Sequence, residues 1–310
     1  MHSIDPMHST DPSEQLRLLS FHAHPDDESS KGAGTVARYS DQGVHCVLVC
    51  ATGGEEGDIL NEDLKDRPEI VENLQEVRRK ELADATDIIG FHTVHMLGYR
   101  DSGMKDSEAN AHPDCFWAAP LEESTARLAA LLRQERPHVM MSYAPARGGY
   151  EHPDHVRVND ITEPAIALAA DPSADIEGEP WQVLKLYFMT WSQARVIAMH
   201  AAFEELEKES PFPPEWLERK GNDHLVTTKV GIGPWYQRRR DALKAHATQV
   251  DPNSPFWFGL PFEVERDCYP FEDYERIFSH VELTETDVHE DDLFAGIARV
   301  GVTAGTENPK

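Results

Sequence analysis

The sequence predicts an α/β fold built around a mostly parallel sheet. Two observations carry that expectation. Short apolar runs alternate with amphipathic segments of helical length as far as Ala170, the pattern of βαβ units. Clusters rich in His, Asp and Glu directly follow two of the runs, and the ligands of parallel sheets collect at such strand ends.

Leu16–Phe21 reads as a buried strand, and Lys31–Gln42 as a helix closed by Gly43. Val44–Cys50 is a second strand, with Cys46 and Cys50 on one face as core thiols. The glycine-rich stretch from Ala51 to Pro68 is a long loop of the kind that is functional or mobile. Pro68 opens an amphipathic helix, with Ile70, Leu74, Val77 and Leu82 on its apolar side, that ends at Gly90. His92–Leu97 is a strand whose His92 and His95 face opposite ways and cannot easily share a metal. Then come a helix over Leu121–Glu135, a strand over Val139–Tyr143 and a helix over His155–Ala170. Beyond Asp171 the pattern loosens. Leu184–Thr190 suits a strand and Gln237–Thr248 a helix, with Arg238–Arg240 as a solvated basic face. Pro252–Asp273, rich in proline and aromatics, suits a packed irregular arm.

The expected organisation is one catalytic domain over residues 16–279, in which about 172–279 forms an irregular C-terminal extension on the substrate side. Residues 1–15, with isolated His2 and His8, and the acidic residues 280–310 read as disordered tails. A length of 310 residues with 40% hydrophobic content allows a full core. The net charge of −27 argues against nucleic-acid or anionic-membrane partners, because both would be repelled. No run approaches the ~20 apolar residues of a membrane span, and Met1–Gln15 lacks the features of a signal peptide. Four cysteines without a CxxC pair suit a reduced, cytoplasmic protein.

The chemistry lies in His24-Pro25-Asp26-Asp27-Glu28 and His152-Pro153-Asp154-His155. Hydrolysing an amide needs a polarised carbonyl, an activated water and a proton for the departing amine. A catalytic zinc site uses about three protein ligands and keeps positions open. His24, Asp27 and His155 meet that count, and Asp26 is then free to act as general base. His152 can hydrogen-bond an oxyanion or protonate the leaving nitrogen, and Asp154 can cap the helix that follows. Two histidines and a carboxylate also describe non-haem iron, so Fe2+ is the alternative to one Zn2+ per subunit.

These two segments resemble the signature of the LmbE/PIG-L family of metal-dependent N-deacetylases, and the likeness runs from about Leu16 to Tyr274. It implies a Rossmann-like fold, zinc held by His24, Asp27 and His155, Asp26 as base and His152 as transition-state stabiliser. Tyr150, otherwise a loop aromatic, would match a tyrosine that moves toward the oxyanion. Glu28–Ala33, Gly98–Gly103 and His246-Ala247-Thr248-Gln249 are similar to the mycothiol branch of the family. That likeness implies a small-molecule substrate, a mycothiol S-conjugate, cleaved to a mercapturic acid-type conjugate and glucosaminyl-inositol. Lys31, Arg67, Asp101 and His246 would be substrate contacts, with Lys31 and the Phe256-Trp257-Phe258 arm setting this activity apart from the sister deacetylation of N-acetyl-glucosaminyl-inositol. His246 equally suits a capped or core histidine. Glu151 departs from the expected pattern, as a third carboxylate where a small residue or proline is expected. The remaining alternatives are a non-catalytic sugar-conjugate-binding protein and an iron oxygenase.

Overall fold

A computed structural model of the chain describes residues 15–146, 150–282 and 290–297. Strand β1 (Arg17–His22) leads through a tight turn into the short helix α1 (Asp27–Ser30) and then α2 (Ala33–Asp41). Next come β2 (His45–Thr52), α3 (Pro68–Val71), α4 (Leu74–Ile89) and β3 (Thr93–Tyr99). Helix α5 (Leu121–Glu135), β4 (Val139–Tyr143), α6 (Pro153–Ala170) and β5 (Lys185–Thr190) complete the regular part. The remainder holds α7 (Gln193–Glu205), α8 (Pro214–Glu218), β6 (Thr228–Gly231), α9 (Tyr236–Ala245), α10 (Pro255–Phe258), α11 (Phe262–Cys268) and β7 (Phe271–Ser279).

The seven strands form one sheet in the order β3-β2-β1-β4-β5-β7-β6. The first five run parallel, and β7 pairs antiparallel with both β5 and β6. Both faces are covered, so alternate residues of each buried strand enter different cores. Leu19, Phe21 and Met140 pack with Leu128, Leu132, Val158 and Ile161 beneath α5 and α6. Leu18, Cys46, Val139 and Met141 pack with Val36, Tyr39, Ala85 and Ala242 beneath α2, α4 and α9. Each such Leu, Val or Phe contributes about 1.5–3 kcal/mol relative to exposure. A third, smaller core (Val196, Met199, Phe203, Phe212, Leu260) belongs to the late helices alone.

Several expectations need correction. The helix from Pro68 is broken between Val71 and Leu74. The aromatic arm contains α10 and α11 and leads into β7, a strand that the sequence pattern hid. The basic run is not a solvated face. Arg239 is buried beside Tyr236, Arg240 pairs with Glu265 at 2.7 Å, and Arg238 pairs with Asp41 at 2.8 Å. The tail after Ser279 is not all solvated, because Glu290, Leu293, Phe294 and Ile297 are buried. Glu290 meets the buried Lys185 ammonium and accepts from Tyr187 Oη at 2.6 Å. Residues 1–14, 283–289 and 298–310 of the expected tails lie outside the described residues, as do Gly148 and Gly149. No described helix is long and apolar enough to cross a membrane.

Candidate active site

In this strand order the connections leave β1 and β4 in opposite directions, which opens a crevice at their carboxyl ends. The crevice takes the turn after β1, the loops after β2 and β3, the start of α6 and the residues after β5. Together they line a cleft of about 660 Å³.

His24 and Asp26 lie in the turn after β1, and Asp27 begins α1. His24 N–H donates to Asp27 Oδ2 at 3.0 Å, which fixes that carboxylate against the strand end. His155 reaches the same oxygen from the first turn of α6, with Nε2 at 3.3 Å, while His24 Nδ1 lies 3.4 Å away. A tetrahedral ion with bonds of about 2.0–2.2 Å sets its ligands roughly 3.3–3.6 Å apart. The donors therefore already stand at the edges of such a polyhedron, and the mixed nitrogen and oxygen set suits zinc or iron.

A second cluster (His24, Asp101, His152, Asp154) is also close enough for a metal, but its carboxylates are engaged. Asp154 accepts from Ser102 N at 3.0 Å and from Ser102 Oγ, and its Oδ2 meets His24 Nε2 at 3.1 Å. Asp101 accepts from Gly103 N at 2.8 Å and Glu56 N at 3.3 Å. A carboxylate on the far nitrogen of a metal-binding imidazole orients that ring, and Asp154 stands in this position. Asp154 thus does more than cap a helix. The α6 cap is His152, whose Nδ1 accepts from Asp154 N at 3.2 Å.

Asp26 is the unusual residue. Its backbone is left-handed, with φ 107 and ψ −28, a conformation that costs a non-glycine residue about 1–2 kcal/mol. Among the described residues nothing donates to its carboxylate, which lines the cleft. Burial, then the charge of Asp27, pushes its pKa up to about 7 against the pull of His246 and Lys31. Burial also raises the Asp27 pKa, but Lys31 and His155 overcome it and hold that carboxyl well below its usual range. His152 is lowered to about 4, first by burial and then by His24, a shift that favours the neutral ring. With Nδ1 accepting, its proton sits on Nε2.

The other expected residues divide. Tyr150 lines the cleft at 62% exposure, its ring 5.1 Å from His155. Lys31 also lines it, but its ammonium is held by Asp27 Oδ1 at 2.6 Å, so it supports a ligand as well as facing the cleft. Asp101 lines it too. Arg67 does not belong to it; the side chain is exposed and donates to Asp63 O at 2.9 Å. His246 is wholly buried behind Glu28, and Gln249 reaches the cleft in its place. Glu151 points to the surface and pairs with Lys105 at 3.2 Å.

The same cleft has an apolar wall of Trp191, Trp216, Phe256 and Trp257. The Trp191 and Phe256 rings stack 3° from parallel at 5.5 Å, and Trp257 stands perpendicular to Phe256 at 4.7 Å. Phe258 points elsewhere, against Arg240 and Lys244. Sequence reasoning missed Trp191, although it directly follows β5 and the strand-end rule that pointed to the expected ligands points to it too.

The family model described as PIG-L, GlcNAc-PI de-N-acetylase, matches residues 19–166. The mycothiol S-conjugate amidase of Streptomyces coelicolor is 40% identical over 294 residues, covering 92% of this chain and 98% of that protein. The 1D-myo-inositol 2-acetamido-2-deoxy-alpha-D-glucopyranoside deacetylase of Thermobifida fusca is 37% identical over 288 residues, covering 90% and 99%. Among solved structures, the N,N'-diacetylchitobiose deacetylase of Pyrococcus horikoshii superposes with a TM-score of 0.59 at 20% identity, covering 87% of each chain, a likeness of fold. A strand-end site with two histidines and an aspartate, and relatives matched over nearly their whole length, lead to one conclusion: this chain belongs to the PIG-L family, whose members are enzymes that act on amide bonds.

Proposed function

We propose that the protein is a zinc-dependent amidase that cleaves mycothiol S-conjugates at the amide joining the cysteine-derived acyl group to glucosaminyl-inositol. The observation that carries this reading is the shape of the cleft. Its roughly 660 Å³ is lined both by His24, Asp27 and His155 and by the wall of Trp191, Trp216, Phe256 and Trp257, space that an acyl group larger than acetyl would use. The S. coelicolor relative supports the same choice.

His24, Asp27 and His155 would hold the ion, which supplies Lewis acidity toward the scissile carbonyl and the attacking water. Asp26 takes a proton from that water and delivers it to the departing amine; its raised pKa suits both transfers. His152 presents Nε2–H to the developing oxyanion, and the Tyr150 hydroxyl adds a second donor. Asp154 and Lys31 hold His24 and Asp27 in place. Asp101, a buried carboxylate on the cleft, is a partner for polyol hydroxyls of the inositol.

Deacetylation of N-acetyl-glucosaminyl-inositol is the second reading. It is favoured by the T. fusca relative, and it needs the same machinery with a smaller acyl group. The deciding experiment measures metal content, then kcat/KM of zinc-loaded and iron-loaded protein on a mycothiol S-conjugate and on N-acetyl-glucosaminyl-inositol. The amidase reading expects at least a tenfold preference for the conjugate. A preference for the acetylated sugar selects deacetylation instead.

A further inference from the structure

Asp26 occupies a backbone region that suits glycine, and aspartate tolerates it best when its own side chain bonds locally. Here the carboxylate faces the cleft without such a bond among the described residues, so support must come from the main chain. Asp26 N–H donates to Glu28 Oε2 at 2.9 Å, and its carbonyl accepts from Ser29 N and Ser30 N, both at 3.1 Å. Glu28 is 1% exposed. A carboxylate buried so deeply needs donors on its other oxygen, and Oε1 receives Ser29 Oγ and His246 Nε2, the latter at 2.7 Å. His246 is itself 0% exposed and caps the C-terminal end of α9. Its Nδ1 accepts from the Gln249 amide at 3.2 Å, which leaves Nε2 as the donor to Glu28.

We infer that Glu28 and His246 form a positioning pair that holds Asp26 in its left-handed turn and so aims the catalytic carboxylate. Glu28 follows the expected ligand Asp27 in the chain, but neither member of the pair lines the cleft, and the two lie 218 residues apart in sequence. Without His246, Oε1 of Glu28 keeps Ser29 alone as donor among the described residues, and the glutamate turns. The Asp26 amide then loses its acceptor and the turn relaxes toward ordinary dihedral angles. The base carboxylate swings with it, while His24, Asp27 and His155 keep their own bonds. This inference rests on the proposed role of Asp26 as base.

The test compares His246→Ala, His246→Gln and Asp26→Asn with the double variant Asp26→Asn/His246→Ala in zinc-loaded protein. Metal content, Tm, kcat and KM are measured for each, with amide exchange of the peptide around Asp26. His246→Ala should lower kcat about 100-fold, as a misplacement of roughly 1 Å can do, with KM and metal content within twofold. Exchange at Asp26 should rise, and His246→Gln, which keeps a donor for Glu28, should recover most of the rate. In the Asp26→Asn background the alanine should cost nothing further. An unchanged kcat in His246→Ala, or a loss that tracks lost metal, would overturn the positioning role. If the alanine variant does not fold, Glu28→Gln decides: it keeps an acceptor for Asp26 N–H but weakens the histidine bond, and a rate within twofold of wild type refutes the pair. Full activity in Asp26→Asn would instead remove the base assignment, which is a separate failure.

Discussion

The two ends of the cleft are built differently. At the polar end the side chains come from the turn after β1, the loop after β3 and the segment entering α6, with Asp27 opening α1 and His155 in the first turn of α6. The turn after β1 is tied to the sheet by Thr52 N–H donating to Ala23 O, and His24 N–H holds the Asp27 carboxylate. At the apolar end the rings stack on one another above their own small core of Val196, Phe203, Phe212 and Leu260. The family match over 19–166 contains the whole of the first end and none of the second. The titratable residues of the cleft and its aromatic wall thus come from different parts of the chain, although α9 and His246 of the late part also pack behind the early one.

That separation can be broken from either side. The largest effects belong to the first end. Asp27→Ala should abolish both metal content and turnover. Asp26→Asn should keep the metal but lower kcat about 100- to 10,000-fold, the range for losing a general base. If either variant merely shifts substrate preference, the division fails. Next comes a test of whether the late half is needed for the chemistry. Glu290→Ala leaves the Lys185 ammonium buried without its carboxylate, a change that typically costs about 3–5 kcal/mol. Urea titration should show that loss, while kcat of the protein still folded stays within twofold.

A smaller effect sharpens the comparison. Trp257→Ala should lower kcat/KM for a conjugate with an aromatic S-substituent about tenfold, the upper range for one aromatic contact. The rate on N-acetyl-glucosaminyl-inositol should not move. Equal losses on both substrates would mean that the wall shapes the whole site. The smallest effect is a surface control. The Trp235 indole N–H, then Arg238, holds the Asp41 carboxyl below its usual range. A depressed folded pKa gives stability that is complete above the unfolded value, about 4, and is lost as pH falls through the folded one. The stability gap between wild type and Asp41→Asn should therefore be open at neutral pH and close under acid, as chemical denaturation at several pH values would record.

The parallel half was legible because its strands are apolar and its motifs stand at their ends. The match between predicted and observed helix at Leu121–Glu135 shows how clear the period is there. β7 was not legible because its acidic residues are engaged in tertiary contacts. Glu272 accepts from Gly34 N and Thr35 N at the start of α2, and Asp273 accepts from Ser192 and Tyr269. In sequence Phe271–Ser279 therefore reads as polar, although it lies inside the sheet. The expected ligands could be proposed from sequence because His24 and Asp27 fall in one short motif and His155 in another. Asp154 and Glu28 took lesser or no roles because their partners, Ser102 and His246, are distant in sequence. Arg67 was misplaced because likeness in sequence carries no information about which way a loop side chain points.

The position of β7 also bears on how the chain is made. It is the last strand in sequence, yet it lies between β5 and β6, so a ribosome must deliver Ser279 before the sheet can close. The Lys185 ammonium waits longer still, for a carboxylate that arrives 105 residues later. The half that carries His24, Asp27 and His155 emerges first, while the aromatic wall is still being synthesised. A ribosome paused before residue 290 should hold a chain whose metal-binding turns are already formed, but whose edge, with its charged lysine, is still open to chaperones.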